Sequence, residues 1–183
     1  IMNIIQSQVF TEVKIFEPKA YHDDRGFFSE VYNNFLQKCL GVNFVQDNLS
    51  KSCKNVLRGI HYQSTNPMGK LCRVIKGGGL DIMVDLRKNS STFGKHEIVY
   101  LDEKNFRWVW VPEGFGHAFL SLQDDTYFYY KCSSLYHPNS EGSINIFSPE
   151  LKLNLPLPKK DIILSEKDKN APFFAKYKLN PTM

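Results

Sequence analysis

Apolar and polar residues alternate in short stretches along most of the chain, and turn residues separate one stretch from the next. This period of two is typical of strands with one buried face. Two short signals, at residues 3–9 and 13–16, come first. The clearer stretches lie at residues 27–32, 44–50, 55–63, 70–75, 80–86, 96–101, 106–111, 117–122, 126–133 and 143–147. About ten strands spaced by roughly 8–12 residues predict an all-β fold, an antiparallel sandwich or jelly roll.

Helical periodicity is confined to a few short segments. Residues 33–40 place Phe35, Leu36, Cys39 and Leu40 at helical spacing, and Gly41 is suited to cap the end of that helix. A short helical turn is predicted at residues 164–168. The three glycines at residues 77–79 predict a turn or bulge, and no helix or Lys-Ser/Thr follows them as in a phosphate-binding loop.

Composition and charge are those expected of an ordinary soluble globular protein. The 183 residues predict one domain over residues 1–183, with a less regular part at about 150–183 that packs on the barrel. The net charge of +4 is spread over scattered lysines, so a nucleic-acid surface is not expected, although a small anion would be favoured. No signal peptide is evident, and no apolar run reaches the ~18 residues of a membrane span.

The four cysteines, Cys39, Cys53, Cys72 and Cys132, have no CxxC or metal-type spacing. We therefore expect reduced thiols in a cytoplasmic protein. No His-x-His pair occurs either, so no metal is expected in the barrel. A serine nucleophile in a Gly-x-Ser-x-Gly turn is also missing.

The strand at residues 55–63 is unusual because it contains both a fixed cation, Arg58, and an imidazole, His61. Simple alternation puts these two side chains on opposite faces unless a bulge intervenes. The two residues are compatible with two interpretations, either as polar residues at a sheet edge or as members of a functional site. Other cations on or beside strands, including Lys70 and Arg73, are suited to bind an anion. The residues alone thus predict a β-sandwich with a small-anion site.

Many short motifs, in order from about residue 13 to 174, resemble the nucleotide-sugar 3,5-epimerase family, known for dTDP-4-dehydrorhamnose 3,5-epimerase. They are FEPK at 16–19, DRGFF at 24–28, FVQDN at 44–48, VLRGIHYQ at 56–63, GKL at 69–71, DLR at 85–87, TFG at 92–94, VPEGFGH at 111–117, YK at 130–131 and DKN at 168–170. The resemblance implies a metal-free cupin jelly roll (a double-stranded β-helix) that needs no cofactor. It also implies a homodimer that exchanges an N-terminal strand.

The same resemblance implies roles for individual residues. His61 is the expected base, oriented by Asp168, and Tyr130 is the expected acid on the opposite face of the sugar. Lys70 is expected to hold the 4-keto oxygen. The expected diphosphate ligands are Arg25 and Arg58. The expected polar contacts to the substrate are Glu30, Gln46, Asn48 and His117. The rings expected around the nucleotide base are Tyr21, Phe28 and Tyr136, with Phe28 reaching the partner's site.

The expected substrate is a nucleotide-diphosphate-linked 4-keto sugar, epimerised at C3, C5 or both. Leu49, the three glycines, residues 132–135 and the short loop at 64–68 depart from the family pattern, at positions expected near the substrate rim. They keep open a GDP-linked 4-keto heptose of surface-polysaccharide synthesis. A sugar-nucleotide ketoisomerase and a non-catalytic carbohydrate-binding sandwich are also compatible with the sequence.

Overall fold

A computed structural model describes residues 2–183, so that Ile1 of the expected domain lies outside the described residues. These residues form thirteen strands, which confirms the all-β prediction. The strands are β1 (Met2–Gln6), β2 (Lys14–Pro18), β3 (Ala20–Asp23), β4 (Gly26–Ser29), β5 (Gln46–Ser52), β6 (Leu57–Gln63), β7 (Lys70–Lys76), β8 (Gly78–Asp85), β9 (His96–Asp102), β10 (Trp108–Val111), β11 (Phe115–Ser121), β12 (Thr126–Cys132) and β13 (Glu141–Ser143).

Two antiparallel sheets face each other, as in a jelly roll. The six-stranded sheet has the order β1-β2-β10-β7-β12-β5, and the five-stranded sheet has the order β13-β6-β11-β8-β9. Neighbours in these sheets are mostly distant in sequence, which is typical of Greek-key connections. Strands β3 and β4 form a separate hairpin whose turn lies at Asp24 and Arg25, where the sequence predicts one.

The core lies between the two sheets, and each sheet is also covered on its outer side. Between the sheets, Phe10, Val74, Met83, Phe119 and Phe128 pack in one buried cluster. Strands β8 and β11 are buried along almost their whole length because both of their faces are covered. This explains why apolar residues in these strands are not restricted to alternate positions, as at residues 82–84 and 118–120.

Short helices provide part of the outer cover. The helices are α1 (Asn34–Leu40), α2 (Glu166–Lys169) and α3 (Phe174–Leu179), with 3-10 turns at Pro138–Ser140, Pro149–Leu151 and Lys159–Asp161. The cap predicted for α1 is confirmed, because Gly41 adopts a left-handed φ of 63°. No helix within residues 2–183 combines the length and apolar character that crossing a membrane requires.

Two local predictions need correction. The turn predicted at residues 77–79 is confined to Gly77, which has a φ of 83°, whereas Gly78 and Gly79 are the first residues of β8. At Gly79 a Cβ atom would collide with the ring of Phe119, so that a glycine is needed for close packing there and not for a change of direction. The helix α3, in the part expected to be less regular, was not predicted. Its Phe174 and Tyr177 pack on the outer side of the five-stranded sheet.

Candidate active site

A bulge in β6 brings Arg58 and His61 to the same cavity. On the neighbouring strand β11, His117 pairs with His61 and Phe119 pairs with Arg58. The first residues of these pairs are two positions apart in β11 and the second are three positions apart in β6, so β6 contains one extra residue. The extra residue breaks the alternation, and both side chains line the cavity between the sheets. The opposite faces expected from simple alternation therefore do not occur, because a bulge intervenes. Gly59, inside the bulge, has a φ of 113°, and a Cβ atom there would collide with the carbonyl oxygen of His117.

Asp168 holds His61 from behind the strand. Its Oδ1 lies 2.6 Å from His61 Nε2, and its Oδ2 accepts a 3.0 Å hydrogen bond from the Gly59 N–H. Ser165 caps α2 and accepts a hydrogen bond from the Asp168 N–H, which fixes the carboxylate at the start of the helix. Burial would raise the pKa of Asp168, but its hydrogen bonds to His61 and Gly59 keep that pKa below its usual value.

Lys70 and Tyr130 face His61 from the other sheet. Lys70 begins β7 and Tyr130 lies on β12, neighbouring strands of the six-stranded sheet, and the Lys70 Nζ lies 5.4 Å from the centre of the Tyr130 ring. Burial lowers the pKa of the Lys70 ammonium. Burial also raises the pKa of the Tyr130 phenol, although the neighbouring Asn48 amide opposes this rise. The phenol is therefore protonated and the ammonium is poorly solvated.

The cavity consists of two lobes that share His61, Lys70 and Tyr130. The larger lobe has a volume of about 530 Å³, and Arg58, Asp168 and the aromatic rings of Phe119 and Phe128 line its wall. The smaller lobe continues between β5 and the segment before β13, and includes Asn48 and Tyr136. The three shared residues thus lie where the lobes meet, which is the natural position for a reacting group.

His117 lies deeper in the larger lobe. It is almost fully buried, and its Nε2 forms a hydrogen bond with Asp81 Oδ1. Burial lowers the pKa of His117, and the Asp81 carboxylate opposes that effect. Cys72 Sγ lies 3.8 Å from the same nitrogen, which puts three residue types that bind metals next to one another.

The rim of the cavity contains two charged residues that the sequence analysis missed, Glu141 and Lys167. Glu141 accepts hydrogen bonds from Lys167 Nζ (2.6 Å) and from the Tyr136 hydroxyl (2.7 Å), while Gln46 Oε1 accepts one from the Tyr136 N–H (3.0 Å). Burial would raise the pKa of Glu141, but its two donors bring it below the usual value. Lys167 is next to Asp168 in sequence, and that adjacency is the one signal from which it could have been selected.

Five of the predicted substrate contacts do not line the cavity within the chain: Gln46, which instead accepts a hydrogen bond from the Tyr136 N–H, and four residues on or beside the β3–β4 hairpin. Tyr21, Arg25 and Phe28 lie on the β3–β4 hairpin, and Glu30 follows it directly. All four are exposed, and the Arg25 side chain is 90% exposed and pairs with Asp23. The cavity-lining residues include none of them among residues 2–183.

This arrangement suits proton abstraction next to a carbonyl group. The imidazole backed by a carboxylate is a general base, and the buried ammonium is placed to stabilise a developing oxyanion. The phenol on the other sheet is a proton donor. Because the base His61 and the acid Tyr130 lie on opposite sheets, a substrate ring between the sheets would have the base at one face and the acid at the other.

Comparison with known proteins agrees with this chemistry. A sequence model of the family described as dTDP-4-dehydrorhamnose 3,5-epimerase matches residues 7–176. The chain belongs to this family. The dTDP-4-dehydrorhamnose 3,5-epimerase of Methanothermobacter thermautotrophicus is 47% identical over 159 residues, which cover 85% of this chain and 86% of the relative. A dTDP-4-dehydro-6-deoxyglucose 3-epimerase of a Streptomyces species is 40% identical over 165 residues, covering 87% and 83%.

A solved relative contains a nucleotide sugar. It is the dTDP-6-deoxy-D-glucose-3,5-epimerase of Legionella pneumophila in complex with dTDP-4-keto-L-rhamnose. Its TM-score is 0.91 at 45% identity, and the match covers 96% of this chain and 94% of that chain. The family resemblance and the cupin-type jelly roll are thereby confirmed. The protein is a carbohydrate epimerase of the nucleotide-sugar class, and these relatives give no support to the GDP-heptose alternative.

Proposed function

We propose that the protein inverts C3 and C5 of dTDP-4-dehydro-6-deoxy-glucose by removing and returning one proton at each centre. The observation that carries this proposal is the shared position of His61, Lys70 and Tyr130 at the junction of the two lobes, with Asp168 behind His61. The 4-keto group acidifies the hydrogens at C3 and C5, so that the reaction needs no cofactor.

In the first step His61 takes a proton from C3 or C5. Its Nε2 faces Asp168, so the carboxylate accepts the N–H there and leaves the Nδ1 lone pair for the sugar. The electrons of the broken C–H bond move to O4 and form an enolate. The Lys70 ammonium stabilises that oxygen, and it does so strongly because burial has removed most of its water.

In the second step Tyr130 gives its proton to the opposite face of the same carbon, and the enolate returns to a ketone. Burial keeps the Tyr130 phenol protonated until the carbanion needs it. The stereocentre is inverted because the donor belongs to β12 and the acceptor to β6, on opposite sheets.

The rest of the nucleotide sugar fits the wider cavity. Arg58 and Lys167 lie in the larger lobe and offer two cations to the diphosphate. The ring of Tyr136 is available to stack on the nucleotide base. Gln46 accepts a hydrogen bond from the Tyr136 backbone N–H and Glu141 accepts one from the Tyr136 hydroxyl, and together they fix the ring. Asn48 is placed to contact the sugar beside Tyr130.

The direct test is isotope exchange. The protein is incubated with dTDP- and GDP-linked 4-keto-6-deoxy sugars in deuterated water, and label is read at C3 and C5. We expect label at both centres of the dTDP sugar, and His61→Asn to lower the rate of exchange by about 10²–10⁴-fold. Exchange at the wild-type rate in the variant would remove His61 from the mechanism, and label at C3 alone would reduce the proposal to a 3-epimerase.

We also propose a homodimer in which the β3–β4 hairpin completes the partner's site. Exposed Phe28 (71%) and Tyr21 (54%), with the cationic Arg25, form a projecting apolar and basic surface that its own chain does not use. Large exposed aromatic surfaces of this kind mark contacts between proteins. Arg25 and Phe28 would then act across the interface.

Mixing two inactive variants tests this exchange. A dimer of one His61→Asn protomer and one Arg25→Ala protomer has one intact site only if Arg25 acts on the partner. We expect activity to return on mixing after dissociation and reassembly. If Arg25 acts within its own chain, mixing restores nothing, and a monomer in light scattering would also contradict the proposal.

We further expect the protein to act in the cytoplasm. Cys39, Cys53, Cys72 and Cys132 are all free thiols, and Cys53 is exposed, which a reducing compartment maintains. Fractionation of cells that express the protein is the corresponding measurement.

A further inference from the structure

Three side chains of different chemistry meet behind the catalytic residues. Cys72 on β7, Asp81 on β8 and His117 on β11 place one sulfur, one oxygen and one nitrogen within 4.8 Å of one another. Cys72 and Asp81 are fully buried, and His117 is 6% exposed. These three residue types together are the ones that bind zinc in proteins.

Two separate observations point to a cation at this cluster. Asp81 Oδ2 is buried and has no hydrogen-bond partner within the described residues, so that one oxygen of a buried carboxylate is unsatisfied. An ion would satisfy it. The second observation is the 3.8 Å between Cys72 Sγ and His117 Nε2. In a tetrahedral zinc site, Zn–S of about 2.3 Å and Zn–N of about 2.0 Å separate these two atoms by about 3.5 Å.

We propose that Cys72, Asp81 and His117 form an inhibitory site for a thiophilic divalent cation of the zinc class. Three protein ligands leave the fourth position open to the cavity, which His117 lines. Magnesium and calcium are not expected to bind, because they require oxygen ligands and this cluster supplies only one carboxylate.

Binding requires two local changes. The hydrogen bond between His117 Nε2 and Asp81 opens, and the Nε2 proton is exchanged through solvent for one on Nδ1. The freed Nε2 lone pair and the carboxylate oxygen then bind the ion. The Sγ–H bond of Cys72 breaks, its proton leaves to solvent, and the electron pair binds the metal. With neutral His117, the thiolate and the carboxylate then balance the two positive charges of the ion.

Inhibition follows from the position of the site. His117 belongs to the wall of the larger lobe, next to Lys70 and His61, and an ion would hold its ring away from the substrate. The site could not be found from sequence, since its three ligands come from three strands and two sheets. The expectation that no metal binds in the barrel rests on spacing along the sequence and on the family resemblance, and neither detects ligands brought together from separate strands.

Cobalt spectroscopy tests the site without relying on activity. The wild-type protein is titrated with Co²⁺, and the thiolate-to-cobalt charge-transfer band in the near ultraviolet is followed. We expect one saturable band per chain, lost in Cys72→Val and kept in Cys53→Ser, which removes an exposed thiol instead. A band that is missing in the wild type, or lost in Cys53→Ser and kept in Cys72→Val, would overturn the proposal.

Zinc inhibition then links the site to the reaction. We expect Zn²⁺ to inhibit the wild type and the concentration for half inhibition to rise more than about tenfold in Cys72→Val, since even loss of an outer partner costs a metal site about 10–100-fold. Basal activity should be unchanged. If Cys72→Val does not fold, Cys72→Ala takes its place. Equal inhibition of wild type and variant would place the zinc elsewhere and refute the inhibitory role.

Discussion

The hydrogen bond between Asp168 and His61 gives the sharpest prediction. In Asp168→Asn the shape of the side chain is kept and its charge is lost, so that the imidazolium formed in the first step loses its counter-ion. The two atoms are 2.6 Å apart, Asp168 is almost fully buried and His61 is about 29% exposed. Charge centres roughly 4 Å apart interact by about 4 kcal/mol at an effective dielectric constant near 20, and by about half of that where solvent screens the pair. A loss of about 2–4 kcal/mol lowers kcat by about 30–1000-fold.

The assay is deuterium exchange at C3 and C5 under saturating substrate. We expect kcat to fall and KM to change little, because Asp168 contacts His61 and not the sugar. Asp161→Asn is the matched control: it makes the same change at an exposed position and should leave exchange unaltered. A thermal melt checks that Asp168→Asn is folded, since the amide oxygen still accepts from Gly59. A folded variant with kcat within threefold of wild type would refute the argument.

Three further predictions concern other groups. Tyr130→Phe should keep part of the exchange but form about 10²–10³-fold less inverted product, seen by NMR; unchanged inversion would assign the acid elsewhere. Lys70→Met should lower kcat by about 10²–10³-fold, because the enolate loses its buried cation; a change in KM alone would contradict this. Burial would raise the pKa of Asp85, but hydrogen bonds from Arg87 and Ser90 hold it below its usual value. Its stabilising effect is therefore present above the unfolded pKa of about 3.9 and lost as pH falls through the lower folded pKa. Asp85→Asn should cost about 3 kcal/mol in urea unfolding at pH 7, and the gap to wild type should shrink below about pH 4; a constant gap would disprove the linkage.

The parts of the fold that could be predicted are those determined by residues close together in the sequence. The alternation and turn residues predict strands well, and Gly41 predicts the end of α1, since these features act over a few residues. The role of Gly79 depends on Phe119, some 40 positions away, so that no local pattern distinguishes its packing role from a turn. The helix α3 is short, and its stability comes from packing of Phe174 and Tyr177 on the five-stranded sheet rather than from its own sequence.

The candidate site was predicted in its residue types rather than in its geometry. The resemblance selected His61, Lys70, Tyr130 and Asp168, and the structure brings these four together around one cavity. Alternation alone contradicted this grouping, because the bulge in β6 is visible only in its pairing with β11. Glu141 could not be selected from the sequence, since its contacts with Tyr136 and Lys167 are made only in the folded chain.

The same geometry bears on how many centres are inverted. C3 and C5 both neighbour the C4 carbonyl, so one ammonium at O4, from Lys70, stabilises the enolate formed by loss of either proton. One base and one acid, His61 and Tyr130, are then sufficient for both inversions if the sugar turns in the cavity between them. Relatives named as 3,5-epimerases and as a 3-epimerase thus need not differ in these groups. In the proposed mechanism the number of inversions depends instead on whether the first product stays and turns before it leaves. We expect Tyr136, which Glu141 holds by its hydroxyl at the rim, to control that residence.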